Sequence, residues 1–316
     1  MEKEGLVMVD ITSDLIKAIR EKTGAGMMDC KKALVEANGD IDSAIDWLRK
    51  KGLAAVARRA GKIAAEGLVC IASRDNTHKD AIVLEVNSET DFVAKNAQFQ
   101  EFAVAICKIA LEKGHCTIAE LLAQEIAQET TVEAGVTSLA ASTGENITVR
   151  RLERVTAQDG IVATYIHSAV AEGLGKIGVL VSIESTGDAA KLLDFGKKLA
   201  MHIAASNPKY LSISDVPAAV VDYEKQVLFE QLKGQNKPQD VMNKMVDGKI
   251  RKFYEETVLL EQVYVMDGKK KIADVISDFA KELGTPVVVP RFVKFVLGDG
   301  IEKVTSNFCE DVKALQ

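Results

Sequence analysis

The sequence predicts an α+β protein assembled from several small parts, on three observations. Residues 12–52 carry three short helical periodicities and no strand pattern. A strand, strand, helix order then occurs twice, about 95 residues apart. Between Pro217 and Val258 the chain turns charged and helical on both sides of GQNKP. At 316 residues the chain also exceeds the roughly 250 to 300 residues at which a single core stops growing.

The elements follow in order. Thr12 or Ser13 can cap a helix with Leu15, Ile16 and Ile19 on one face, and Gly24 can end it. After GAGMMD a second helix carries Cys30, Ala33, Leu34 and Ala37 and stops at Asn38 and Gly39. Asp40 caps a third, with Ile41, Ala44, Ile45 and Leu48 at helical spacing and Gly52 beyond its end. The Ala-rich, basic stretch LAAVARRAGKIAAE fits a connecting helix or linker.

Strands are expected over Gly67 to Ser73 and Ala81 to Asn87, joined by the polar turn RDNTHKD, with Ile82, Leu84 and Val86 sharing a face. A helix from about Ala97 to Glu112 places Phe99, Phe102, Ala103, Ile106 and Ala110 in register. The order recurs with strands Ile161 to His167 and Ile177 to Glu184 across AVAEGLGK. A helix from Ala189 to Ala205 then aligns Leu192, Gly196, Leu199 and Ile203. NSETD and ESTGD stand at the two strand-to-helix junctions, which points to two related core subdomains.

Two helical runs, one with Val220, Val221, Val227 and Leu228 and one with Val241, Met242, Met245, Ile250 and Phe253, predict an antiparallel helical hairpin. RFVKFVLG alternates like a strand, and a short helix is expected near Asn307 to Leu315. The expected division is an N-terminal helical module over 1–55 and an N-terminal core subdomain over 56–148. A C-terminal core subdomain follows over 149–216 and 259–296, with the hairpin 217–258 inserted in it and a C-terminal module over 297–316.

Composition excludes several classes. With 47% hydrophobic and 27% charged residues the chain reads as globular, and no segment approaches the roughly 20 apolar residues of a membrane span. The acidic start MEKEGLVMVD lacks a signal or transit pattern, so a cytoplasmic location is expected. Five scattered cysteines form no CxxC pair, which argues against a disulfide framework or zinc site. A net charge of −6 disfavours direct nucleic-acid binding, which rests on neutralising phosphates. No phosphate loop, dinucleotide fingerprint, nucleophile elbow or HExxH occurs.

GLGKIG lacks phosphate-loop spacing and precedes a strand, so it reads as a tight turn. Four histidines are too scattered for a metal site, and His202 reads as a core or boundary residue. No catalytic residue, metal or cofactor is expected. Cys30 with a remote histidine could imitate a thiol nucleophile, but nothing local supports it.

NSETDFVAKN, Asn87 to Asn96, sets an acid and a large aromatic side by side in a polar junction. Phe92 lies before the expected start of the following helix near Ala97. On pattern alone it is the first residue of the core, with Asp91 a helix cap; the other reading is a side chain presented to a partner.

Several motifs together resemble bacterial translation elongation factor Ts. TGAGMMDCKKAL, Thr23 to Leu34, followed by ANGDIDSAIDWLRKKG, resembles that family's N-terminal module. ETDFVAKN, Glu89 to Asn96, resembles its core motif, and GKIGVLV and MHIAASNPKYL its second core subdomain. LGDGIEK, Leu297 to Lys303, is similar to its closing run.

The resemblance implies a ubiquitin-associated-like N-terminal fold and a nucleotide-exchange role toward the GTPase elongation factor Tu. It implies that Thr90, Asp91, Phe92 and Val93 bind the partner and dislocate its Mg²⁺. Met27, Met28, Lys32 and His167 are further partner contacts. It leaves open a homodimer, or a heterotetramer with the GTPase, through the helical hairpin or the core. The competing reading is a ubiquitin-associated-like binding module without exchange activity, because three-helix units of this size also recognise ubiquitin-like proteins.

Overall fold

A computed structural model gives the chain's structure and describes residues 11–23, 25–59, 61–74, 77–114, 117–127, 130–232 and 238–302. It is mixed helix and sheet, with its resolved sheet pairings antiparallel. Contacts divide it into two compact units. Among the described residues, one comprises those up to Cys70, Leu84–Leu152 and those from Leu297 onward; the other comprises Ile71–Val83 and Glu153–Val296.

The first unit begins with three helices, α1 (Ser13–Thr23), α2 (Met27–Glu36) and α3 (Ile41–Arg59). The Thr12 hydroxyl accepts the Leu15 N–H at 3.3 Å and the Asp40 carboxylate accepts that of Ser43 at 2.8 Å, so both expected caps form. Between α2 and α3 the chain reverses through Asn38 (φ 49°) and Gly39 (φ 84°), and the Gly39 N–H closes back on the Leu34 carbonyl at 2.8 Å. Ile19, Cys30, Ala33, Leu34 and Ala44 are fully buried, with Leu15, Ile16, Trp47 and Leu48 packed around them.

One expectation fails here: Gly52 does not end the third helix, which runs on to Arg59. A Cβ at Gly52 would stand 2.7 Å from that of Ala141. The glycine serves close helix packing, and local sequence cannot distinguish that from a stop signal.

The chain continues through β1 (Glu66–Ser73), β2 (Asp80–Ser88), α4 (Asp91–Ala94), α5 (Ala97–Lys113) and α6 (Ile118–Leu122). The short strands β3 (Glu125–Ala127) and β4 (Thr130–Thr131) precede α7 (Val132–Thr143) and β5 (Thr148–Thr156). The second unit adds β6 (Gly160–His167), β7 (Leu174–Gly175), β8 (Ile177–Glu184) and α8 (Ala189–Ser206). The helices α9 (Ala218–Leu232), α10 (Gln239–Thr257) and α11 (Ile272–Leu283) lead to β9 (Val288–Val296). Strand order is β5-β2-β1-β7 in one sheet and β6-β8-β9 in another, and β3 pairs with β4 in a third.

β2 is buried along its whole length, although its alternation marks only one apolar face. Its two acids are paired in place. Asp80 meets Arg74 and Arg154 at 3.0 and 2.7 Å, while the fully buried Glu85 accepts from Arg150 and Arg151 at 3.1 and 2.5 Å. Burial alone would raise the Asp80 carboxyl, but hydrogen bonds from the two guanidinium groups outweigh it and hold the pKa below the usual value.

β6 and β8 pair antiparallel from Gly160↔Glu184 to His167↔Ile177, as the repeated order predicted. Gly173 (φ 71°) makes the turn between them, and Leu174–Gly175 forms a two-residue strand there. α8 covers this pair, burying Leu192, Phe195, Leu199 and Ile203 with Ile161, Val181 and Ile183. α9 and α10 pack on one another through Leu228, Phe229, Leu232, Met242, Val246 and Ile250. The helix expected near Asn307 lies outside the described residues.

Candidate partner-binding site

At the end of β2 the chain forms a single helical turn, α4, before α5 begins behind its cap Asn96. Phe92 sits on that turn and is 78% exposed. The core reading of Phe92 is therefore overturned. So is the reading of Asp91 as a cap, because Thr90 occupies the cap position and Asp91 is the first residue of the turn. Successive helical side chains point about 100° apart, so one turn can present Phe92 to solvent and send its neighbour inward. Val93, expected with Phe92 at the partner surface, is the buried neighbour, together with Ala94.

Asp91 and Phe92 share Lys95, four residues after the acid and three after the ring. Its Nζ lies 2.6 Å from the Asp91 carboxylate and 5.6 Å from the Phe92 ring centroid. The cation thus contacts both side chains that the sequence singles out.

The turn is held from outside its own sequence. Thr90 lacks the usual capping bond to its own helix. Its N–H and its hydroxyl both donate to Glu145, at 3.0 and 2.5 Å. The Ser88 hydroxyl donates to the Thr90 carbonyl at 2.8 Å. Beside it, Glu89 accepts the Asn146 N–H at 2.6 Å and a guanidinium N–H of Arg59 at 3.1 Å, and the Asn146 amide donates to the Lys62 carbonyl at 2.8 Å. Arg59, Glu89, Glu145 and Asn146 are absent from the sequence-based site, since their pairing spans up to 57 residues of chain.

Met27 and Met28 stand 59% and 75% exposed at the start of α2, and Lys32 is exposed one turn on. The exposed Val35 continues the line, because positions i, i+4 and i+7 share a helix face. This stripe is separate from the core stripe of Cys30, Ala33 and Leu34, and its spacing alone could have added Val35. His167 is exposed at the end of β6 with its Nδ1 3.1 Å from the Tyr165 hydroxyl.

His202 is fully buried, as expected of a core residue. Its Nδ1 accepts the Val265 N–H at 3.3 Å. The proton therefore sits on Nε2 and is given to Gln262 Oε1 at 3.0 Å, while the Gln262 amide donates to the Ser206 and Glu256 carbonyls. Burial pushes the His202 pKa down, partly opposed by the Gln262 bond.

Cys30 is buried and its thiol pKa is pushed up, chiefly by burial, so it is a poor nucleophile. Among the described residues no three His, Cys, Asp or Glu side chains group as a metal site, and no helix is long and apolar enough to cross a membrane.

Comparison with known proteins gives one consistent result. The family model described as Elongation factor TS matches residues 89–299, a span that begins at Glu89 and includes His167. Elongation factor Ts of Rhodospirillum centenum is 48% identical over 309 residues, covering 98% of this chain and 99% of the relative. That of Rhodospirillum rubrum is 50% identical over 308 residues, covering 97% and 99%. That of Bartonella bacilliformis is 46% identical over 306 residues, covering 97% and 99%.

Proposed function

The chain belongs to the elongation factor Ts family, and on that premise we propose that it is a guanine-nucleotide exchange factor for elongation factor Tu. It binds the GTPase, disturbs the Mg²⁺ and phosphate site there, and speeds GDP release so that GTP can rebind. The observation that carries the reading is the solvent-exposed Phe92 on a turn tied down at its base.

Exchange of this kind requires no covalent chemistry, so the chain has no catalytic residue and no cofactor of its own. GDP and Mg²⁺ belong to the partner, where phosphate-cradling backbone groups and the ion hold the nucleotide. The factor must bind the nucleotide-free GTPase better than the loaded one, and reciprocity makes each ligand weaken the other equally. Moving a population from 1:99 to 99:1 takes about 5.5 kcal/mol of differential affinity. A buried aromatic anchor contributes about 2 kcal/mol or more, so Phe92 acts with other surfaces.

In this reading Phe92 inserts between helices of the GTPase and Asp91 perturbs groups near the Mg²⁺ site. Val93 braces the turn from inside. Met27, Met28, Lys32 and His167 supply further contacts. The exposed methionines suit such a surface, being flexible and polarizable. The protein works in the cytoplasm, without direct nucleic-acid or membrane contact, and the α9–α10 pair or the core is where copies would associate.

The test is release of fluorescent GDP from elongation factor Tu with and without substoichiometric amounts of this protein. Acceleration with turnover is expected. Binding to the GTPase with no acceleration would contradict the proposal.

A further inference from the structure

We propose that Glu145 is a positioning residue for the exposed aromatic: its carboxylate sets the α4 turn, and hence the direction in which Phe92 is presented. The inference rests on the exchange-factor reading above and deepens it.

The geometry is that of a cap supplied by a remote residue. A helix start leaves backbone N–H groups without partners, and the cap side chain ordinarily accepts one of them. Thr90 stands at the cap of α4 but makes no such bond. Its hydroxyl is turned away to donate to Glu145 Oε1 at 2.5 Å, while its N–H donates to Oε2 at 3.0 Å. One carboxylate thus takes both donors of the residue from which the turn starts. Bonds to a charged acceptor are about twice as strong as neutral ones.

Glu145 owes its place to α7. That helix ends at Gly144 with φ 72°, and the Gly144 N–H closes on the Ala140 carbonyl. The next residue is Glu145. A negative charge just past a helix C-terminus is opposed by the helix dipole, so this carboxylate is not stabilised by its own helix. It finds its donors on Thr90, 55 residues earlier. Asn146 continues the clasp: its N–H donates to Glu89 at 2.6 Å, and Glu89 also receives Arg59 from the end of α3. Residues 89 and 90 are therefore held by 145 and 146 as a pair. The side chain they leave free to project is Phe92, two residues on.

A competing account makes Glu145 a stabiliser of the fold with no bearing on Phe92. The two differ in coupling. If Glu145 acts through Phe92, removing it from a protein that lacks the ring changes little more; if it acts on the fold at large, its effect adds to that of Phe92→Ala.

The experiment measures GDP release from elongation factor Tu at saturating factor for wild type, Glu145→Ala, Phe92→Ala and the double variant. Thermal unfolding establishes which variants are folded. We expect Glu145→Ala to slow release about tenfold, the effect of leaving the competent turn populated about one tenth of the time. The double variant should be within about twofold of Phe92→Ala, the margin for additive error. Should Glu145→Ala fail to fold, Thr90→Val removes only the hydroxyl donor and is expected to slow release severalfold, again only while Phe92 is present.

Undiminished release by folded Glu145→Ala, or by Thr90→Val where that stands in for it, would overturn the positioning role. A fully additive double variant would do the same. If Phe92→Ala itself leaves release unchanged, it is the wedge reading that fails.

Discussion

A phenylalanine left in water forgoes about 1.5 to 3 kcal/mol of burial, so Phe92, at 78% exposure, is a local loss that an interface can recover. Its neighbours show how little the fold gains from that turn's surface. The Lys95–Asp91 pair is largely exposed, at 67% and 46% of the two side chains, and exposed pairs contribute about 0 to 1 kcal/mol. Lys95→Ala should therefore lower stability by no more than about 1 kcal/mol in urea denaturation; a loss of several would mean the pair is structural.

His202 is the opposite case. Its pKa is lowered by burial, so the unfolded chain takes up a proton more readily than the folded one. Its contribution is complete above the unfolded value of about 6.5 and is lost as pH falls through the lower folded value. Urea midpoints between pH 7.5 and pH 5 should therefore fall less steeply in His202→Gln than in wild type. Equal slopes would contradict the neutral buried imidazole.

At the scale of elements, glycines inside helices separate packing from propensity. A Cβ on Gly196 in α8 would lie 2.4 Å from the Ala163 Cβ and 2.9 Å from Ile183 Cδ1, whereas one on Gly248 in α10 meets nothing within 4 Å. Alanine gains about 1 kcal/mol of helix propensity at either site. Gly248→Ala should stabilise by about 0.5 to 1 kcal/mol, and Gly196→Ala should destabilise by about 1 to 3 kcal/mol because overpacking outweighs the gain. Equilibrium denaturation of the pair checks both signs.

The helices and strands with an uninterrupted period, α5, α8, β6 and β8, were legible in sequence. β5 was not. Its buried Val149, Leu152 and Val155 recur every third residue, and Arg150, Arg151 and Arg154 between them look like a solvated face until their buried acid partners are known. α7 was hidden by its Gly, Ser and Thr content, while α11, with Ile272, Ile276 and Phe279 in register, was open to the same reading as α5.

In the whole molecule, the part of the site that lies in one stretch could be read, and the part assembled from distant stretches could not. Phe92 stood out because a large aromatic stands beside an acid in a polar junction. Nothing local marks Glu145 as the acceptor for Thr90, or Arg59 as the partner of Glu89, since those pairings exist only once α3, α7 and β2 are folded together. Propensity and period report each element's own preferences; the supports of a projecting side chain are tertiary. The buried Glu85 shows the same limit, for one carboxylate joins Arg150, Arg151 and the Gly298 N–H, 213 residues along the chain.

The central claim is that the ring of Phe92 acts on the GTPase and not on this fold. It is tested most directly by GDP release from elongation factor Tu with saturating Phe92→Ala. The account predicts unchanged thermal unfolding and a release rate at least tenfold below wild type, the equivalent of losing about 1.4 kcal/mol or more of differential binding. Undiminished release by the folded variant would contradict it.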